Sequence, residues 1–233
     1  MARPGDLRLR LERCPMCGPT LLVKLAQNSI SVRCARCRAS AIHMSIINVL
    51  RELQLNLEHQ TVYEMSSRGP MFEFLKRRAG QLIYSEFFDD IPQGGYRGYV
   101  QCQDVQQLTY ADGSFDLCTS TEVFEHVPDD RRGFSEICRV LRPCGRFIFT
   151  VPLTEAAATV ERAIVADGVI QHLLEPEYHG DVVRGFGKVL CYRNYGRDIL
   201  ERLREAGFRQ ARLMPPDEKA WWGLGVKVVV AEK

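Results

Sequence analysis

The chain has 233 residues, 45% of them hydrophobic and 26% charged, with a formal net charge of +2. That suits one α/β domain with a sizeable core and a small appendage. No apolar run reaches the roughly 18 residues a membrane helix needs, and the N-terminus MARPGDLRLRLER lacks the apolar stretch of a secretory leader. The expected compartment is therefore the cytoplasm, where the nine cysteines stay mostly reduced.

Four of those cysteines open the chain as two pairs, Cys14/Cys17 and Cys34/Cys37, with sixteen residues between the pairs. This spacing is that of a structural zinc site, in which two tight knuckles complete a tetrahedron of thiolates. Thr20 to Lys24 and Ser29 to Arg33 are β-prone, so a hairpin between the knuckles, the layout of a zinc ribbon, is expected over residues 1–42. Two disulfides or a redox dithiol are the alternatives, but neither a secretory context nor a βαβ unit surrounds the pairs. A closed four-sulfur site has no open coordination position, so its role is structural or recognitional. Residues 1–40 carry eight Lys and Arg against two acids, which reads either as a solvated surface or as a face for nucleic acid. The five remaining cysteines are scattered singly and receive no chemistry.

Ile46, Leu50, Leu53 and Leu57 then recur at helical spacing. Thr61–Met65 is a short strand ended by Ser-Ser-Arg-Gly-Pro, and a helix over about Met71–Ala79 follows. Strands are expected at Leu82–Ser85 and near Tyr99–Gln101. Phe115–Thr119 reads as a strand, and Asp129 or Asp130 caps a helix bearing Phe134, Ile137, Cys138 and Leu141. Arg142-Pro143-Cys144-Gly145 stops that helix before Arg146–Val151, a continuous apolar run of the kind buried on both faces. Asp198 caps a helix with Ile199, Leu203 and Ala206, ended by Gly207. Phe208–Leu213 and Val226–Ala231 close the chain as an antiparallel pair, since no crossover helix separates them. Strands alternating with helices predict a doubly wound, mostly parallel sheet.

Three motifs carry a family resemblance. Asp112-Gly-Ser-Phe-Asp-Leu-Cys-Thr-Ser-Thr-Glu-Val-Phe-Glu-His126-Val-Pro, Leu141-Arg-Pro-Cys-Gly145 with Phe147–Pro152, and Glu205-Ala-Gly-Phe208 resemble, in order and content, the class I S-adenosylmethionine-dependent methyltransferases. The resemblance covers about residues 60–233. It implies a seven-stranded sheet with the last strand antiparallel over residues 43–233, and S-adenosylmethionine bound along the C-terminal strand ends. It further implies that Glu64 orients the methionine amine and that Ser66, Ser67, Arg68 and Gly69 pass under the cofactor. Glu86 would take the ribose hydroxyls, Asp104 and Val105 the adenine, and Thr121 and Glu122 the surroundings of the sulfonium. Where the family has a glycine-rich turn, this chain has Met65-Ser-Ser-Arg-Gly69. Arg68 there either pairs with the cofactor carboxylate or points into solvent.

Residues 152–195 exceed an ordinary connection and read as an active-site lid. Within it, His179, then Tyr178 and His172, are the candidates for contact with the methyl acceptor, the alternative being a loop held by its own hydrogen bonds. His126 reads as a residue that pins its loop. The expected activity is methyl transfer to a small molecule, a sugar-like metabolite or a peptide. The competing expectations are an RNA or protein methyltransferase docked through the basic ribbon, and a non-catalytic binding domain that keeps the fold.

Overall fold

A computed structural model describes residues 7–26, 29–181, 187–223 and 225–233. Three strands, β1 (Arg8–Cys14), β2 (Gly18–Lys24) and β3 (Val32–Cys34), make an antiparallel sheet in that order. The β2–β3 pair is the hairpin expected between the knuckles, with Leu22 opposite Cys34; Gln27 and Asn28 of its turn lie outside the described residues. β1 adds a strand the sequence analysis did not contain, although Leu7, Leu9 and Leu11 alternate with polar residues as a strand's do.

Helix α1 (Ala41–Glu52) begins at Ser40, whose hydroxyl accepts from the His43 N–H while His43 Nδ1 accepts from the Ser40 N–H, a reciprocal cap. It ends before Leu57, which turns instead within a short 3₁₀ segment. The main sheet then follows with β4 (Thr61–Glu64), α2 (Gly69–Lys76), β5 (Gln81–Glu86), β6 (Tyr96–Arg97), β7 (Val100–Cys102), β8 (Phe115–Thr121), α3 (Asp130–Val140) and β9 (Leu141–Thr150). After an excursion described below, α4 (Ile199–Glu205), β16 (Gln210–Met214) and β17 (Val228–Glu232) complete it. The strand order is β16-β17-β9-β8-β4-β5-β7-β6. β4, β5, β7, β8 and β9 run parallel and β17 is antiparallel between β9 and β16, as expected. The eighth strand is the short edge strand β6, which folds back on β7.

Both faces of this sheet are covered, and the strand residues divide accordingly. Val62, Leu117, Ile148, Val228 and Val230 meet α1 and α2, through Ile46, Leu50, Met71 and Leu75. Their chain neighbours Tyr63, Cys118, Phe147, Phe149 and Val229 meet α3 and α4, through Phe134, Ile137, Ile199 and Leu203. This is why the strands read as continuous apolar runs rather than alternating ones. α3 ends at Val140, so Leu141, expected on the helix, instead opens β9 opposite Phe115, and residues 142–145 loop out of the sheet before Arg146 pairs with Leu117. Gly145 is required there, because a Cβ would stand 2.8 Å from the Arg142 carbonyl oxygen. Asp198 sits at the start of α4 but makes no side-chain cap; its carboxylate accepts instead from the Thr159 hydroxyl at 2.6 Å. No described helix is long and apolar enough to cross a membrane.

Between β9 and α4 the chain forms three antiparallel pairs. These are β10 (Val160–Glu161) with β15 (Arg193–Asn194), β11 (Ala163–Ala166) with β12 (Val169–His172), and β13 (Tyr178–Asp181) with β14 (Gly187–Leu190). At the other end, the ribbon does not close its own core. Cys14, Leu22, Val32 and Cys34 share a cluster with Ala41 and Met44 of α1 and with Ala220, Trp222 and Val226 from the loop before β17. The Trp221 N–H donates to Glu12 on β1 at 3.0 Å. Trp222→Ala is expected to cost about 3–5 kcal/mol in urea denaturation; a loss below about 1 kcal/mol would separate the ribbon's stability from this contact.

Candidate functional site

The parallel strands β4, β5 and β8 bring their C-terminal ends to one edge of the sheet, and acids stand at each end. Glu64 is 1% exposed and accepts from the Thr119 hydroxyl of the neighbouring strand. Burial pushes its carboxyl up to about 8, with Thr119 opposing and the nearby Glu86 adding to the rise. Glu86 is buried at the end of β5, and its Oε1 accepts from the Ser67 N–H at 2.8 Å, the Ser67 hydroxyl at 2.9 Å and the Ser66 hydroxyl at 3.3 Å. The two serines thus tie the turn after β4 to the acid of the next strand. Arg68 is the residue before α2, and Gly69 opens that helix at φ +87°, a conformation that favours glycine.

The other expected cofactor positions are placed differently. Asp104, after β7, spends its carboxylate on its own turn, accepting from the Gln106 N–H at 2.9 Å and its side-chain amide at 3.0 Å. Val105 lies in the core against α3. Thr121 ends β8, and Glu122 follows at φ +53° with its N–H bonded to the Thr150 carbonyl at 3.0 Å. Burial raises the Glu122 carboxyl above its ordinary range.

The loop from β8 to α3 holds a second group. Phe124 stacks on Phe134 at 4.5 Å between ring centroids and anchors the loop in the core. That turns Glu125 inward, where it is 1% exposed and neither carboxylate oxygen has a hydrogen-bond partner among the described residues. Burial lifts its pKa far above the carboxylate range, and Glu122 adds to the lift. His126 Nε2 lies 3.6 Å and His179 Nδ1 3.8 Å from Glu125 Oε1, and the two imidazoles meet edge to face at 4.9 Å. His126 Nδ1 is 2.8 Å from the Leu190 carbonyl oxygen, so the histidine does pin its loop, to strand β14. Of the three candidates for acceptor contact, His179 joins this group. Tyr178, its neighbour on β13, is 50% exposed, and successive strand residues face opposite sides. His172 is exposed at the end of the β11–β12 hairpin.

Arg193 ties this loop to the excursion between β9 and α4. It is 3% exposed and donates to the carbonyls of Phe124 at 3.1 Å, Val127 at 2.5 Å and Pro128 at 2.6 Å, and to Glu161 on β10 at 3.0 Å. Asp130 receives Tyr195 Oη at 2.9 Å and Arg202 at 3.0 Å, and Arg202 also reaches Glu161 at 2.8 Å. Glu125 stood in the sequence motif without a role, and Arg193 gave no local signal, since its partners lie 32 to 69 positions away.

In the ribbon, Cys14 and Cys37 Sγ are 3.6 Å apart and Cys17 and Cys34 Sγ 3.5 Å apart, and all four sulfurs lie within 4.8 Å of one another. These separations exceed the roughly 2.05 Å of a disulfide. They suit a tetrahedron with metal–sulfur bonds of about 2.3 Å. The Cys37 N–H donates to Cys34 Sγ at 3.4 Å, the bonding of a metal knuckle.

The sheet order and the acids at its C-terminal edge define a class I methyltransferase fold. A crystal structure of an S-adenosylmethionine-dependent methyltransferase from Mesorhizobium loti matches it with a TM-score of 0.51 at 15% identity, over 81% of this chain and 98% of that one. Residues 49–149 match the model of the methyltransferase domain family. A sarcosine/dimethylglycine N-methyltransferase of Halorhodospira halochloris is 34% identical over 91 residues, 35% of this chain and 30% of that protein. A ubiquinone biosynthesis O-methyltransferase of Coxiella burnetii is 38% identical over 120 residues, 46% of this chain and 51% of that protein. The chain thus spans about half or less of these relatives' length. Arg193→Met, which removes one donor from Glu161 and from each of three loop carbonyls while Arg202 still reaches Glu161, is expected to cost about 3–5 kcal/mol in chemical denaturation; a near-neutral variant would show that the loop holds its shape unaided.

Proposed function

We propose that the chain transfers a methyl group from S-adenosylmethionine to a small-molecule acceptor held beneath residues 152–195. The observation that carries this reading is the convergence of Glu64, Glu86 and the turn 65–69 at the C-terminal edge of a class I sheet. The names of the curated relatives favour a small acceptor.

The residues fit the cofactor. In this reading Glu64 meets the methionine ammonium and Glu86 the ribose hydroxyls, exchanging the serine donors it holds for those of the ribose. Gly69 begins α2 with open space where a Cβ would stand, which leaves room for a ligand beside the helix N-terminus. Ser66, Ser67 and Arg68 complete the turn under the cofactor, Asp104 and Val105 border the adenine, and Thr121 and Glu122 border the reacting end. S-adenosylmethionine, when bound, supplies an electrophilic methyl on a sulfonium. The chain's contribution is alignment and exclusion of water for an in-line displacement, with His179 facing the acceptor and Tyr178 and His172 on the outer lid. The four cysteines hold a structural zinc ion.

A macromolecular acceptor is the second reading. It draws on a cavity of about 510 Å³ between the ribbon knuckles and α2, lined by Arg36, Arg38, Arg77 and Arg78 together with Glu73.

Titration with S-adenosylmethionine, followed by calorimetry in buffers of different ionisation enthalpy, tests the cofactor site. Glu64, with its pKa near 8, is largely protonated at pH 7 in the free protein. Pairing with an ammonium lowers that pKa, so binding at pH 7 is expected to release up to about one proton, a release that fades above pH 8. Glu64→Gln should abolish the release, and Glu86→Ala should weaken binding by about 1–3 kcal/mol. Saturable binding with no proton release would remove Glu64 from contact with the ammonium, and a folded protein with no binding heat would favour a non-catalytic domain. For the ribbon, Cys34→Ser is expected to lose the zinc measured by mass spectrometry in the purified wild type; unchanged metal content would refute the four-sulfur site.

A further inference from the structure

We infer that Glu125, His126 and His179 form a binding site for one divalent first-row transition-metal ion, at the seam between the β8–α3 loop and the lid and separate from the cysteine site. The three side chains each offer a ligand atom within 4.8 Å of the others. Glu125 supplies the independent observation: a 1% exposed carboxylate, both of whose oxygens lack a hydrogen-bond partner among the described residues and one of which faces two imidazoles. A buried carboxyl without donors is costly, and a cation between it and the imidazoles removes the cost.

The orientation of both rings agrees. The Leu190 carbonyl can only accept, so His126 Nδ1 carries the proton and Nε2 turns its lone pair toward Glu125. His179 lies 3.3 Å through Nε2 from Glu177 Oε1, which leaves Nδ1 directed at Glu125. A histidine ligand held by a backbone carbonyl or a carboxylate at its other nitrogen is the usual support of a metal site. Cys191 lies near Glu177 and His179 as well, but its thiol donates to the Arg193 carbonyl at 3.2 Å, so it remains a neutral thiol. Glu122 is electrostatically linked to both Glu125 and His179.

Two imidazoles and a carboxylate suit Zn²⁺, Fe²⁺ or Mn²⁺ better than Mg²⁺ or Ca²⁺, and three protein ligands leave positions open. If methyl transfer is the reaction, an oxygen acceptor on an open position would be oriented and made easier to deprotonate. That role rests on the proposed function; the binding of the ion does not.

The test uses the full chain with its resident zinc already measured. Zn²⁺ and Mn²⁺, with Mg²⁺ for comparison, are titrated calorimetrically without cofactor or acceptor. One further equivalent of Zn²⁺ or Mn²⁺ is expected, bound more tightly than Mg²⁺. Glu125→Gln and His179→Ala should each weaken it by roughly tenfold or more, with the resident zinc and the melting temperature unchanged. The His179 side chain is 32% exposed, against 1% for Glu125, so its variant is the one expected to fold if the Glu125 variant does not. Cys34→Ser should lose the resident zinc and keep the second equivalent. A wild type that takes up no second ion, or a His179→Ala variant that binds it undiminished, overturns the site and leaves Glu125 a neutral buried acid. Failure of the methyltransferase reading would appear separately, as absent cofactor binding with the metal titration intact.

Discussion

The burial of the Arg193 guanidinium is the constraint on which the site's architecture rests. A charge removed from water survives only if its donors are met and its charge balanced. Here Arg193 and Arg202 face Asp130 and Glu161, with Asp198 also beside Arg202, in a group that includes Tyr195. The arrangement fastens four pieces of chain at once: the turn after β8, the start of α3, the base of the lid and α4. None could move without leaving a buried charge or a carbonyl unpaired. The turn that carries Glu125 and His126 is therefore held by the lid rather than covered by it.

The turn after β4 shows a different solution to a similar demand. A glycine-rich turn offers close backbone approach and nothing more. In this chain Ser66 and Ser67 give their hydroxyls, and Ser67 its N–H, to Glu86. The acid is thereby satisfied in the free protein instead of waiting in solvent, and the turn is shaped before any ligand arrives. Under the proposed cofactor reading, where Glu86 takes the ribose hydroxyls, the same bonds are exchanged, and part of the binding energy at that acid is offset by the loss of the serine donors.

What could be read from the sequence follows the range of the interactions. The strands Phe115–Thr121 and Leu141–Thr150, the helix between them and the antiparallel close were legible because apolar period and stop signals are local. The four cysteines were legible because their spacing alone constrains them. Asp198 misled because a helix-cap residue type says nothing of a competing partner, here Thr159, 39 positions away. β1 escaped because an edge strand of alternating Leu and Arg has no buried face to announce it. The pairing of Glu125 with His179, across 54 positions of chain, depends on where the lid lands, and no local pattern encodes that.

The lid itself divides by how it is attached. Its inner strands are bonded to the body, through Leu190 to His126 and through the Tyr192 N–H to the Glu125 carbonyl at 2.8 Å. Its outer hairpin, β11–β12, exposes Val165, Val169 and Ile170 and joins the inner part through the Arg162 and Ala163 N–H groups, which donate to the Tyr192 carbonyl at 2.7 and 3.1 Å. Shifting the backbone of the inner part disturbs Glu125 and His126, whereas the exposed side chains of the outer hairpin can change at little cost to the fold. The Arg193-clamped seam is thus the fixed part of the excursion between β9 and α4, and the exposed hairpin is the part whose side chains the fold constrains least.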